Sequence, residues 1–212
     1  ELAHKLGIKL ICEDVSSEFN RLIINDFCDE YMSGRTPNPC VICNPQVKFR
    51  KLIEKADEIG AYHIATGHYC RIYFDKDTGL FYPKMSASKK KDQSYMLYRL
   101  GQDVLRRLIF PLGDFEDKEQ IREIARSHGM ENAEKKDSQE ICFLGGSEDH
   151  ARFIQEKGFR SPAGNFVDEN GNILGRHKGI TSYTVGQRKG LGIALGKPAY
   201  VIRIDKENNT VV

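Results

Sequence analysis

Residues 35–45 read RTPNPCVICNP, a stretch that sets three prolines and a Cys-x-x-Cys pair side by side. No other stretch limits the fold as much. Proline has no N–H to donate and pushes the residue before it toward extended backbone, so this segment predicts a rigid loop between independently formed elements. The flanks supply those elements. Upstream, Phe19, Leu22, Ile23, Phe27 and Tyr31 recur at helical spacing, with Cys28 on or near the same face, Ser16 or Ser17 placed to cap and Gly34 to terminate. Downstream, Phe49, Leu52, Ile53, Ala56 and Ile59 predict a helix from about Gln46 to Ile59, closed by Gly60. Outside the two helices, the apolar run at 8–15 and YHIATGHY at 62–69 read as strands, the second ending in the tight turn Thr66-Gly67-His68. Strand, helix, loop, helix, strand is the order of an α/β fold, a parallel sheet with helices on both faces, in which ligands sit at the carboxyl ends of strands.

Arg71 to Tyr82 alternates around DKDTG and predicts a hairpin. Helical periodicity returns at Gln93–Leu108. A further helix is expected from Asp117, with Gln120 completing a capping box, to Gly129. From 161 onward the chain is glycine-rich, with a hairpin signal at Asn170-Gly171 and another turn at Asn208-Asn209. These signals divide the chain into 1–148, 149–198 and 199–212. With 212 residues, 40% of them hydrophobic and 29% charged, the chain is long enough for one substantial and one smaller globular unit. No run approaches the roughly 20 apolar residues of a membrane span, the first residues lack a signal-peptide core, and the protein reads as cytoplasmic. A net charge of +2 means that a nucleic-acid partner has to be met by local basic patches, such as Ser86–Lys91 and Arg176–Lys189. Taken singly, a lysine run is more often a solvated loop.

The six cysteines, at 12, 28, 40, 43, 70 and 142, have no regular dense spacing and read as thiols. Cys40 and Cys43 directly precede a helix, where partial positive charge and unpaired N–H groups favour the thiolate, and Lys48 adds to this. A closed zinc site would need a second Cys-x-x-Cys or a His-x-x-His, and the sequence has neither. Read alone, Cys142 is a buried structural cysteine, His68 satisfies a backbone carbonyl and Gln93 is an exposed helix start.

Five motifs in order, GRTPNPCVICN followed by VKF, then ATGHY, KDQSYMLY, DSQEICF and TVGQRKGLG, resemble the tRNA-specific 2-thiouridylases (tRNA uridine 2-sulfurtransferases) of the PP-loop ATP pyrophosphatase superfamily. The resemblance implies a partial Rossmann-like sheet, akin to the adenine nucleotide alpha hydrolases, then a small β-rich domain at 149–198 that meets tRNA and the start of a C-terminal β-barrel at 199–212. It implies ATP-dependent 2-thiolation of a wobble uridine, with ATP and Mg2+ as cofactors. tRNA is then the substrate, and a sulfur-relay or cysteine desulfurase protein the donor.

By the same resemblance, Cys43 is the first catalytic cysteine and Cys142 the persulfide acceptor. Gly67 touches the nucleotide. Asn38, Pro39, Cys40, His68, Lys91, Asp92 and Gln93 touch tRNA. Many members of the family carry aspartate where this chain has Cys40. Arg188 and Lys189 are added from their basic glycine turn, as phosphate contacts. Two alternatives stay open at this stage. Cys40, Cys43 and Cys142 could hold a 4Fe-4S cluster for the same reaction, or the chain could be a non-catalytic RNA-binding module with a structural metal at the Cys-x-x-Cys. The family's glycine-rich PP-loop has no counterpart here, so the chain reads as a fragment that lacks adenylation activity by itself.

Overall fold

The computed structural model describes residues 1–134, 141–144, 150–194, 196 and 198–212. They form two compact units: Glu1–Leu22 with Cys40–Asp137, and Ile23–Pro39 with Ser138–Val212. The expected boundary at 148/149 and the Asp137–Glu140 part of the fourth motif lie outside the described residues.

The first unit is α/β. Its sheet is a short parallel pair, β1 (Ile64–Ala65) beside β4 (Leu108–Ile109), with Ile64 opposite Leu108. Around it, Phe49, Ala56, Ile64, Cys70, Leu97, Leu100, Leu105, Leu108 and Phe110 form one buried cluster. The apolar stripe of α5 (Phe49–Glu58) enters that cluster through Phe49 and Ala56. Leu52 and Ile59 do not; they lie toward solvent, so the stripe is narrower than the five-residue face expected from spacing. β2 (Cys70–Asp75) and β3 (Leu80–Met85) pair antiparallel, as the DKDTG turn predicts. α7 (Lys118–Ser127) is capped by Asp117, whose side chain accepts from Glu119 N at 3.0 Å, and it closes into Gly129 at a positive φ.

Four expectations need correction. First, residues 8–15 form no strand: Ile8, Leu10 and Ile11 are exposed, and no described strand pairs with them. A buried strand needs ladder partners on its backbone as well as apolar side chains, and here it has none among the described residues.

Second, the proline segment is not a loop throughout. Pro39 opens α4 (Pro39–Cys43), a position where its missing N–H costs nothing, and Pro45 sits in a π turn (Asn44–Lys48) that runs straight into α5. The wider i to i+5 turn reorganises the hydrogen-bond ladder at the point where proline would break an α-helix.

Third, neither Ser16 nor Ser17 caps α2 (Ser16–Phe19). Asp14 Oδ1 instead accepts from Ser16 N at 2.9 Å. α2 passes through a second π turn (Asn20–Ile24) into α3 (Asn25–Met32).

Fourth, Gln93–Leu108 is not one helix. It contains a 3-10 turn (Ser94–Met96) and α6 (Gln102–Leu105), separated where Gly101 adopts extended backbone as the N-cap of α6. A Cβ at Gly101 would come within 2.6 Å of Asp103 Oδ1.

The second unit is built on a four-stranded sheet in the order β6-β5-β8-β7. β5 (Gly164–Val167) and β6 (Ile173–His177) form the hairpin expected at Asn170-Gly171, with Asp168 Oδ1 accepting from Asn170 N and Asn172 N inside the turn. β7 (Ile204–Asp205) and β8 (Thr210–Val211) form the last hairpin through Asn209, which has φ of 48°. β8 then pairs parallel to β5. Residues 164–177 and 204–211 therefore share one sheet. Phe166, Ile180, Tyr183, Val201 and Val211 fill its core.

Buried His177 joins the two hairpins. Its Nδ1 accepts from Gly179 N, so Nε2 carries the proton and donates to Asn209 O at 3.1 Å. A second aromatic group gathers Phe27, Tyr31 and α8 (His150–Glu156): Phe27 meets Tyr31, Phe143 and Phe153 edge-on, and Tyr31 stacks on His150 at 4.5 Å.

Candidate active site

All five motifs contribute described residues to geometry within a unit, three of them in the first unit. Cys40 and Cys43 lie one helical turn apart in α4, on neighbouring positions of one helix surface, and both are half-buried. The next residue, Asn44, is 1% exposed, and its Nδ2 donates to Met96 O at 3.1 Å. This bond ties the cysteine-bearing helix to the KDQSYM segment. That segment is itself fixed. Gln93 N donates to Tyr69 O at 2.8 Å and Gln93 Oε1 accepts from Tyr69 N at 2.9 Å, while Asp92 accepts from Ser86 N at 2.8 Å and from Ser94 Oγ at 2.7 Å.

By sequence Asn44 falls in the segment read as a rigid proline loop, and its role as a brace emerges from the fold. Asn44→Ala is expected to leave the Met96 carbonyl without its partner and to destabilise the first unit by about 1–3 kcal/mol. Urea denaturation of the two proteins would measure this.

His68, expected at the ligand, is 8% exposed and packs between the Phe49 and Phe110 rings at 5.7 and 6.0 Å. Its Nδ1 shares a 2.7 Å hydrogen bond with Thr66 Oγ1. Burial, aided by the charge of Lys48, pulls its pKa down to about 4, so the ring is neutral at pH 7. Because the unfolded chain protonates this histidine near 6.5 and the folded chain near 4, the unfolded state binds the extra proton between those values. Stability from this group is complete above pH 6.5 and falls as the pH drops toward 4. At pH 5 the loss relative to His68→Phe is expected to be about 2 kcal/mol, read as the difference in urea midpoints between pH 7 and pH 5.

Gly67, beside it, is exposed, and an added Cβ would meet only Leu112 Cδ1 at 3.8 Å, so the carboxyl end of β1 is open for a ligand to approach. Lys91 is half-buried and its N donates to Ser88 O at 3.0 Å.

In the second unit Asn38 is exposed, Pro39 is buried and Cys142 is exposed. The exposure of Cys142 corrects the reading of it as a buried cysteine that the residues alone suggest. Phe143, its neighbour, packs into the Phe27 and Phe153 rings at 5.1 and 5.3 Å, so the backbone beside the thiol is anchored in the core. Arg188 and Lys189 are exposed in a turn braced by Gln187, whose Oε1 accepts from Thr184 N and whose Nε2 donates to Lys189 O.

The six cysteines are thiols, not disulfides, and their surroundings sort them. Cys28 and Cys70 are buried, and desolvation pushes both to about 11, where the thiolate is scarce at neutral pH. Among the described residues no three His, Cys, Asp or Glu side chains are grouped to hold a metal.

Two family descriptions cover nearly all of the chain: "tRNA methyl transferase HUP domain" matches residues 1–146 and "tRNA methyl transferase PRC-barrel domain" residues 151–212. Proteins named tRNA-specific 2-thiouridylase MnmA are 50% identical in Acetivibrio thermocellus and 48% in Carboxydothermus hydrogenoformans, and one named MnmA 1 is 51% identical in Clostridium tetani. The chain belongs to the tRNA-specific 2-thiouridylase family. Each alignment covers 100% of this chain and 58% of the relative, so the chain spans a little over half the length of these thiouridylases. The α/β unit followed by the β-rich unit agrees with the HUP and PRC-barrel order of the family. Among the described residues no helix is long and apolar enough to cross a membrane.

Proposed function

We propose that this chain forms part of a cytoplasmic, ATP-dependent tRNA uridine 2-sulfurtransferase, in which Cys142 carries persulfide sulfur and Cys43 releases it to C2 of the wobble uridine. The observation that carries this reading is the sorting of the cysteines: the two cysteines outside the motifs that lie in the core have raised pKa values, whereas Cys142 is exposed and Cys43 is half-buried on a braced helix. Cys12 is also exposed but lies in none of the shared motifs.

The chemistry requires an activated oxygen, because a carbonyl oxygen is a poor leaving group. When bound, ATP supplies the adenylate that makes the C2 oxygen a leaving group, and the open backbone at Gly67 fits the edge of a nucleotide. Mg2+ would accompany it. The Cys43 thiolate attacks Cys142 Sγ, forms a Cys43–Cys142 bond and breaks the bond to the terminal sulfur, which departs as hydrosulfide toward C2. In the direct variant the terminal sulfur attacks C2, the activated oxygen leaves with AMP, and the Cys43 thiolate then attacks Cys142 Sγ, breaking its bond to the transferred sulfur and forming the same disulfide. Either route places the Cα atoms of the two cysteines about 6 Å apart when the disulfide forms. A thiol reductant supplies two electrons to reopen the disulfide, and a desulfurase or relay protein then reloads the Cys142 thiol, which its exposure permits. An Asn38 amide held by the prolines beside it is suited to read the edge of an unstacked base.

The matched family descriptions speak of methyl transfer and the named relatives of thiolation. Mass spectrometry of tRNA nucleosides separates the two. Deleting the gene is expected to remove 2-thiouridine and to leave methylated uridines in place, and returning the intact gene restores it. Loss of a methylated nucleoside with 2-thiouridine intact would refute the proposal.

A further inference from the structure

A recess of about 310 Å3 opens in the second unit, well removed in sequence from the cysteine motifs. It is lined by Arg188, by Leu191, Ile193 and Pro198, and by glycine backbone at 190 and 192. Its walls are preformed. Leu191 and Ile193 pack on the core of Phe166, Ile180, Tyr183, Val201 and Val211. Ile193 lies so close to β6 that a Cβ at Gly175 would come within 2.6 Å of its Cγ2. At the other end Gln187 O accepts from Val201 N at 2.9 Å, and its side chain holds both Thr184 N and Lys189 O. Gly190 and Gly192 take φ of 75° and 71°, which turns the loop around the recess with no side chain filling it.

The chemistry of the lining selects a class of ligand. Aliphatic walls accept the face of a flat ring, a guanidinium accepts an anion, and Arg188 is exposed and joined to no carboxylate among the described residues. The volume lies at the small end of ligand sites, enough for one nucleotide and too small for a helix of paired bases. Lys189 adds a second cation beside it.

We infer that this recess takes a single unstacked nucleotide of an RNA, its base against Leu191, Ile193 and Pro198 and its phosphate on Arg188. The inference rests on the tRNA reading above and adds to it a second point of capture, remote in sequence from the sulfur chemistry. Unpaired nucleotides are the part of a folded RNA that can be splayed into such a site.

The test is binding of unmodified tRNA to the intact protein across a salt series. Arg188→Ala is expected to weaken binding about tenfold and to lower the slope of log K against log salt by about one. Ala199→Phe, which fills the recess and changes no charge, is expected to weaken binding by a similar factor with the slope unchanged. Leu191→Trp serves as a second filler, and thermal melts matched to the parent show that each variant is folded. If Arg188→Ala lowers the slope while both fillers bind like the parent, Arg188 is a surface phosphate contact and the recess proposal is overturned. If the parent protein binds no tRNA at any salt, the substrate reading itself fails, whatever the variants do.

Discussion

Cys142→Ala and Cys43→Ala, each made in the intact gene, are expected to lower 2-thiouridine in cellular tRNA by at least about a thousandfold, to the level of the gene deletion. The size of the effect follows from the chemistry. A persulfide carrier has no substitute when its sulfur is removed, and residues that act as a unit fail together, so the double variant should be no worse than either single one. Cys28→Ala and Cys70→Ala serve as internal comparisons, since each removes a buried thiol whose pKa of about 11 leaves it unreactive. They are expected to cost stability and to leave thiolation per folded molecule unchanged. Retained thiolation in Cys142→Ala would end the persulfide account.

The same variants separate the remaining mechanisms. Cys40 lies one turn from Cys43, so a cluster held by Cys40, Cys43 and Cys142 would make Cys40→Ala as damaging as Cys43→Ala. The persulfide route predicts a much milder loss for Cys40→Ala, because that thiol forms no bond in the exchange. Iron content of anaerobically purified protein gives an independent reading. A structural metal in a non-catalytic module predicts unfolding on loss of either Cys40 or Cys43, with no role for Cys142.

How far the sequence could be read depends on the kind of interaction that decides each feature. Turn chemistry was legible because it is local: DKDTG, Asn170-Gly171 and Asn208-Asn209 each produced the expected hairpin. Helix faces were legible in outline, since Phe27 and Phe49 are fully buried as their spacing requires. What failed was decided by partners distant in the chain. The apolar run at 8–15 has a strand's composition and no ladder among the described residues, and Gly101 interrupts a periodicity that otherwise reads as one helix. The prolines misled differently. Pro39 and Pro45 are compatible with a helix that starts at one and widens into a π turn at the other, an accommodation that propensity rules do not anticipate.

At the site, the fold gives several motif residues partners that the sequence does not announce. Asp92 and Gln93 spend their side chains on Ser86, Ser94 and Tyr69, and His68 is a neutral ring in the core. The brace at Asn44 was invisible because a buried amide reveals itself only once its carbonyl partner is in place.

Phe27→Ala is expected to have the largest effect on stability of any substitution away from the cysteines, about 3–5 kcal/mol, seen as a fall of more than about 10 °C in the melting of the second unit. Phe27 is fully buried, and its ring meets three others edge-on, Tyr31 at 5.0 Å, Phe143 at 5.1 Å and Phe153 at 6.2 Å. Alanine therefore leaves a cavity that aromatic rings, being rigid, close poorly. The consequence reaches the chemistry because Phe143 is the residue after Cys142, and its packing is what anchors that thiol's backbone. Phe27→Leu keeps most of the volume and should recover most of the stability. At a temperature where both variants are folded, Phe27→Ala should slow reloading of Cys142 by a persulfide donor, followed by trapping and mass spectrometry, while alkylation of exposed Cys12 proceeds at the parent's rate. Equal reloading in the parent and Phe27→Ala would show that the aromatic cluster stabilises the unit without positioning the sulfur.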